Sequence, residues 1–113
     1  MSRTDENSKL AEIKLEEAQP GLGQFAAKFV KNRQSELDLV RKSLEKVDYS
    51  PIAQMAHKWK GFSAPYGFQR LEKLARELEV AAKVSNAADC HSILQQIAEY
   101  LSLKKTVIDQ ENV

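Results

Sequence analysis

Apolar residues recur at three- and four-residue intervals through most of this chain, separated by short polar breaks. From about Leu22 to Lys46, the residues Leu22, Phe25, Ala26, Phe29, Val30, Leu37, Val40 and Leu44, with Val47 just beyond, share one helical stripe, which Arg33 interrupts. In "DYSP", Ser50 suits an N-cap and Pro51 a first helical position, so a second helix is predicted from there to Ala64, where Pro65 and Gly67 stop it. A third helix over Gly67 to Lys83 carries Phe68, Leu71, Leu74, Ala75, Leu78 and Ala82. After the break "VSNAAD", with Ser85 or Asn86 as cap, a fourth helix over Ala87 to Lys105 carries Cys90, Ile93, Leu94, Ile97, Tyr100 and Leu101. The residues after Lys105 read as frayed. Ahead of the break "QPGLG", the residues Leu10, Ile13 and Leu15 give a short N-terminal segment enough apolar content to cover one end of a bundle. The pattern predicts an all-α fold: an antiparallel up-down-up-down four-helix bundle with that short covering segment. Residues 1–9 are expected to be a disordered leader and residues 10–113 a single domain.

Composition narrows the classes of function. The chain has 113 residues and a formal net charge of +1, so a strongly basic nucleic-acid footprint is not expected. Cys90 is the only cysteine, which excludes an internal disulfide and the four-ligand cysteine zinc sites, and fits a reducing compartment. No apolar run approaches the roughly 18 residues of a membrane span. The start "MSRTDENSKL" is polar, so neither signal peptide nor anchor is expected and the reading is cytoplasmic.

One segment, "AHKWKGFSAPYGF", carries the candidate chemistry. With Ile52 as origin and a turn of about 100° per residue, Met55, Trp59, Phe62 and Tyr66 fall between about 280° and 340° and form the core face. His57 falls near about 140°, on the outer surface, with Ala53, Lys60, Gly61 and Ala64 around it. An exposed histidine on a helix is ordinarily a solvated residue. Here its neighbours are small, and Gly61 costs a helix about 1 kcal/mol relative to alanine. That pattern suits the close approach of a bulky group to the imidazole. Lys60, one turn on, can reach an anion held there. The second histidine, His91, follows Cys90 near the start of the fourth helix. No ligand spacing supports a metal site with it. Cys90 reads as a small core hydrophobe, and Arg33 as a residue that pairs with an acid or snorkels.

His57, Lys60, Gly61, the small Ser63 and Gly67 resemble the histidine-containing phosphotransfer domain, whose motif is His-x-x-Lys-Gly followed a few residues later by Gly. The resemblance extends over nearly the whole chain, because the four helices come in the same order. Trp59 and Phe62 depart from the commoner residues of the family at their positions, and "PYGF" resembles a variant found in part of it. The resemblance implies a phosphoryl group carried on His57, taken from the aspartate of one response-regulator receiver domain and given to that of another, upstream of which stands a hybrid sensor histidine kinase. It implies neither kinase activity nor nucleotide binding. No cofactor is expected, the Mg²⁺ being on the receiver partner. By the same carry-over, Lys60 offsets phosphate charge, Gly61 admits the receiver together with Ala53 and Ala64, Gly67 shapes the turn, and Gln69 orients the site from the next helix. The protein is expected to act as a monomer, without nucleic acid or membrane. The alternative is a non-catalytic adaptor that binds a signalling partner through the same face.

Overall fold

The computed structural model describes residues 3–111. It contains α1 (Arg3–Lys14), α2 (Ala26–Glu45), α3 (Tyr49–Phe62), α4 (Gln69–Lys83) and α5 (Ala87–Glu111), with 3-10 turns at Gly23–Phe25 and Ala64–Tyr66. Among the described residues there is no strand. Helices α2 to α5 close a ring in which α2 packs on α3, α3 on α4, α4 on α5 and α5 back on α2, while α1 lies against α5. The interior of the ring is filled by Ile52, Trp59, Phe68, Leu71, Leu78, Leu94, Ile97 and Leu101, all essentially without solvent contact.

Helix α2 starts at Ala26 instead of about Leu22 and α4 at Gln69 instead of Gly67, and four further boundaries differ from the sequence expectation, each for a local reason. The expected disordered leader is helical from Arg3, residues 1 and 2 lying outside the described part. This helix is held by buried Ile13, half-buried Leu10 and an ion pair of Lys9 with Glu99 on α5. Helix α3 starts at Tyr49 behind Asp48, not at Pro51 behind Ser50. Pro51 is tolerated at the third helical position because the first four N–H groups of a helix have no intrahelical partner. Its end comes at Phe62, and the next residues tighten into a 3-10 turn before Gly67 reverses the chain with φ +91°. Helix α5 runs past Lys105 to Glu111, where fraying was expected, because Val107 and Ile108 are buried. Asn86 caps α5 as expected, its Oδ1 accepting the N–H of Asp89 at 3.0 Å.

The segment between α1 and α2 fastens the turn that follows α3. The Gln19 N–H donates to the Pro65 carbonyl at 2.8 Å. Glu16, almost buried, accepts the Arg70 N–H at the start of α4 at 2.8 Å, the Tyr100 hydroxyl at 2.7 Å and the Lys104 ammonium at 2.9 Å. Lys104 also donates to the Gly67 carbonyl at 2.7 Å and lies 4.7 Å from the Phe68 ring centre. Glu16, Tyr100 and Lys104 thus satisfy one another, which removes the main cost of burying them. Gly67 is required twice over: its φ is left-handed, and a Cβ there would stand 2.9 Å from the Ala18 backbone nitrogen. We therefore expect Gly67→Ala to destabilise the fold by about 2 kcal/mol or more, read as a lower midpoint in urea unfolding.

Candidate functional site

Helix α3 is positioned by one carboxylate on each of its neighbours. On the α2 side, Glu36 accepts the Trp59 indole N–H at 2.9 Å, and the Lys58 ammonium lies 3.3 Å away. Arg33 Nε stands 2.6 Å from the same carboxylate. Burial raises the Glu36 pKa, but the Trp59 hydrogen bond and the charges of Arg33 and Lys58 outweigh it and leave it lowered. On the α4 side, Glu79 Oε2 accepts from His57 Nδ1 at 2.8 Å and Oε1 accepts from the Lys60 ammonium at 2.8 Å. Lys83, one turn on in α4, approaches Glu79 at 3.4 Å. These two anchors fix the rotation of α3: Trp59 is fully buried, and the His57 side chain remains 71 % exposed.

The electrostatics of Glu79 set the state of the imidazole. Its side chain is only 8 % exposed, yet its pKa is lowered to about 2, first through the hydrogen bond from Lys60 and then through those from His57 and Lys83, against the opposing effect of burial. Glu79 is therefore an anion at neutral pH and can only accept. His57 must carry its proton on Nδ1 to make this contact. In the neutral ring the lone pair is then on Nε2, the nitrogen not engaged by Glu79.

The residues singled out in the sequence divide into three groups. His57 and Lys60 meet on Glu79. Ala53 and Ala64 are half-buried and Gly61 is exposed on the same helix and its following turn, with nothing within 4 Å of a Cβ placed at Gly61. Gly67 is buried, so it shapes the turn without presenting a surface. Gln69 does not reach the imidazole: its side-chain amide donates to the carbonyls of Glu17 at 2.9 Å and Ala64 at 3.1 Å, so it closes the turn below the site. The α4 side chain in contact with both His57 and Lys60 is Glu79. A signal for it exists in the sequence, since Glu79 stands four residues after Ala75 and three before Ala82, an acid on the apolar stripe of its helix.

His91 lies elsewhere, in a groove between α2 and α5 with Arg41, Leu44 and Leu94. Among the described residues, no group of three or more His, Cys, Asp or Glu side chains is arranged to hold a metal ion. No helix there is long and apolar enough to cross a membrane. Cys90 is buried, and burial raises its thiol pKa, which makes it a poor nucleophile.

The lowered pKa of Glu79 ties stability to acid. Its contribution is complete above the unfolded carboxyl value of 4.5 and is lost as the pH falls toward about 2. The expected loss over that interval is at most about 3 kcal/mol, reduced by solvent screening of the pairs with Lys60 and Lys83. Urea midpoints measured between pH 6 and pH 2 should fall more steeply for the wild type than for Glu79→Gln, which has no charge to lose there.

No curated protein and no solved structure matches the chain. The family model of the Hpt domain matches residues 24–105, which takes in α2, α3, α4 and most of α5 together with His57, Lys60 and Glu79. That match covers well over half of the sequence, and the chain belongs to the Hpt domain family, the phosphocarrier modules of phosphorelay signalling.

Proposed function

We propose that the protein, an up-down-up-down bundle, carries a phosphoryl group on Nε2 of His57 and exchanges it with the aspartate of response-regulator receiver domains, in a relay whose phosphoryl groups originate from a hybrid sensor histidine kinase. The observation that carries the reading is the exposed imidazole whose Nδ1 is held by an anionic carboxylate. In the forward step the Nε2 lone pair attacks phosphorus, the N–P bond forms, and the P–O bond of the aspartyl phosphate breaks with its electron pair left on the aspartate. The Nδ1 proton stays in place, and the positive charge that develops on the ring is balanced by Glu79. The reverse step returns the lone pair to Nε2. Such a transfer needs positioning and charge balance more than covalent machinery from the protein.

Lys60 serves Glu79 before phosphate arrives and the phosphoryl oxygens afterwards. Its side chain is 30 % exposed and one turn from His57, so a short swing takes it from one acceptor to the other. Gly61 has no internal reason to be glycine, because a Cβ there meets open space. That supports a role in admitting the receiver backbone. The Mg²⁺ of the transfer belongs to the receiver, and the carrier itself needs no cofactor.

Incubation with a phosphorylated receiver domain should place an acid-labile, base-stable label on the wild type and none on His57→Gln. No label from any receiver would favour the adaptor reading. Glu79→Gln removes a charge-assisted hydrogen bond worth about 1.5–3 kcal/mol, so transfer should slow roughly 10–100-fold. A wild-type rate would remove Glu79 from the mechanism. Gly61→Ala should raise stability by up to about 1 kcal/mol in urea unfolding while weakening receiver binding in calorimetry. Unaltered affinity would show that Gly61 does not face the partner.

A further inference from the structure

A second feature of the same surface lies where the start of α2 meets the end of α3. An open recess of about 260 Å³ there is walled by Phe25, Phe29, Phe62 and Tyr66, with Arg33 and Lys28 also lining it. The Arg33 guanidinium lies against two adjoining rings, its central carbon 4.5 Å from the centre of Phe29 and 4.6 Å from that of Phe62, whose centres are 5.5 Å from each other. Its side chain is only 7 % exposed. Nε, close to Glu36, is fully buried and lacks the alignment of a hydrogen bond. The two terminal nitrogens are not enclosed as Nε is, and no group of the described residues bonds to them.

A guanidinium in this setting is a preformed receptor for a carboxylate. Its planar fork is held by contact with the two adjoining rings and by Glu36 at Nε, so little freedom is lost when it donates to a bidentate anion. Arg33, Lys28 and Lys58 together outweigh Glu36 locally, which favours an anionic visitor. The aromatic walls, with Phe25 46 % exposed, would cover the apolar stem of the side chain that carries it. The location selects the partner. Phe62 follows Gly61 directly, and lies roughly 7.5 Å along the helix axis from His57 on another side of α3. A domain resting on Gly61 to reach His57 therefore extends over this recess.

We infer that the recess formed by Arg33, Lys28, Phe25, Phe62 and Tyr66 is an anchor site for an acidic side chain of the docking receiver domain. The inference rests on the carrier reading for the identity of the partner. It adds a place where affinity is determined apart from the phosphoryl chemistry, and the two can be measured separately.

The test is calorimetric titration of a panel of unphosphorylated receiver domains into the wild type, Phe25→Ala and Lys28→Glu. Phe25 and Lys28 are exposed, so their variants should fold, which far-ultraviolet circular dichroism checks. The receiver that binds the wild type should bind Phe25→Ala and Lys28→Glu about tenfold more weakly. The Lys28→Glu loss should shrink at 0.5 M salt, as a charge contact requires. Labelling of His57 by phosphoramidate, which needs no partner, should proceed at the wild-type rate in both recess variants. Equal receiver affinity for wild type, Phe25→Ala and Lys28→Glu would overturn the anchor, as would the absence of any receiver that binds. Failure of phosphoramidate to label the wild type, with the affinity losses intact, would instead count against the carrier reading and leave the anchor standing.

Discussion

The buried carboxylate of Glu79 is the constraint on which the site depends. It accepts from His57 with one oxygen and from Lys60 with the other, both at 2.8 Å, and so couples α4 to the exposed flank of α3. A histidine free in solvent would divide its proton between two nitrogens and its ring among several rotamers. Here one tautomer and one ring orientation are selected by a partner that is itself locked by burial and by three neighbouring groups. The cost of placing an anion in that position is met by the hydrogen bonds it receives.

The same logic acts on the other side of α3. Glu36 holds Trp59 and the Arg33–Lys58 pair of cations, so the helix is pinned from α2 by its indole and from α4 by its imidazole. Family membership supplies the class of chemistry, and these two carboxylates supply the geometry by which this chain would perform it. Neither anchor belongs to the short motif of His, Lys and Gly.

Much of the architecture was legible in periodicity, because the interior stripes of α2, α4 and α5 keep helical spacing over several turns. His57 was placed correctly on the surface but at the wrong angle. The large residues Met55, Phe62 and Tyr66 pulled the inferred core direction toward them, yet all three are only half-buried. The innermost positions are Ile52, Ala56, Trp59 and Ser63, two of them small. Centred on these, the core direction lies about 130° from His57 instead of about 180°. That rotation is the difference between a ring facing open solvent and one touching α4, and it is why Glu79 was missed. Glu16 and Lys104 were hidden for a related reason. Their partners are 88 residues apart in sequence, and no local pattern marks a charge that is buried by a distant one.

The strap of residues before α2 alters what should be regarded as the unit of this fold. The matched domain begins at residue 24, downstream of Glu16, Ala18 and Gln19. A fragment cut at that limit would keep every helix of the ring and the phosphate-bearing side chain. It would also leave the Lys104 ammonium, the Tyr100 hydroxyl and the first turn of α4 facing a vacated buried position, where a carboxylate had satisfied all three. The boundary drawn by shared ancestry and the boundary drawn by electrostatic self-sufficiency do not coincide in this chain.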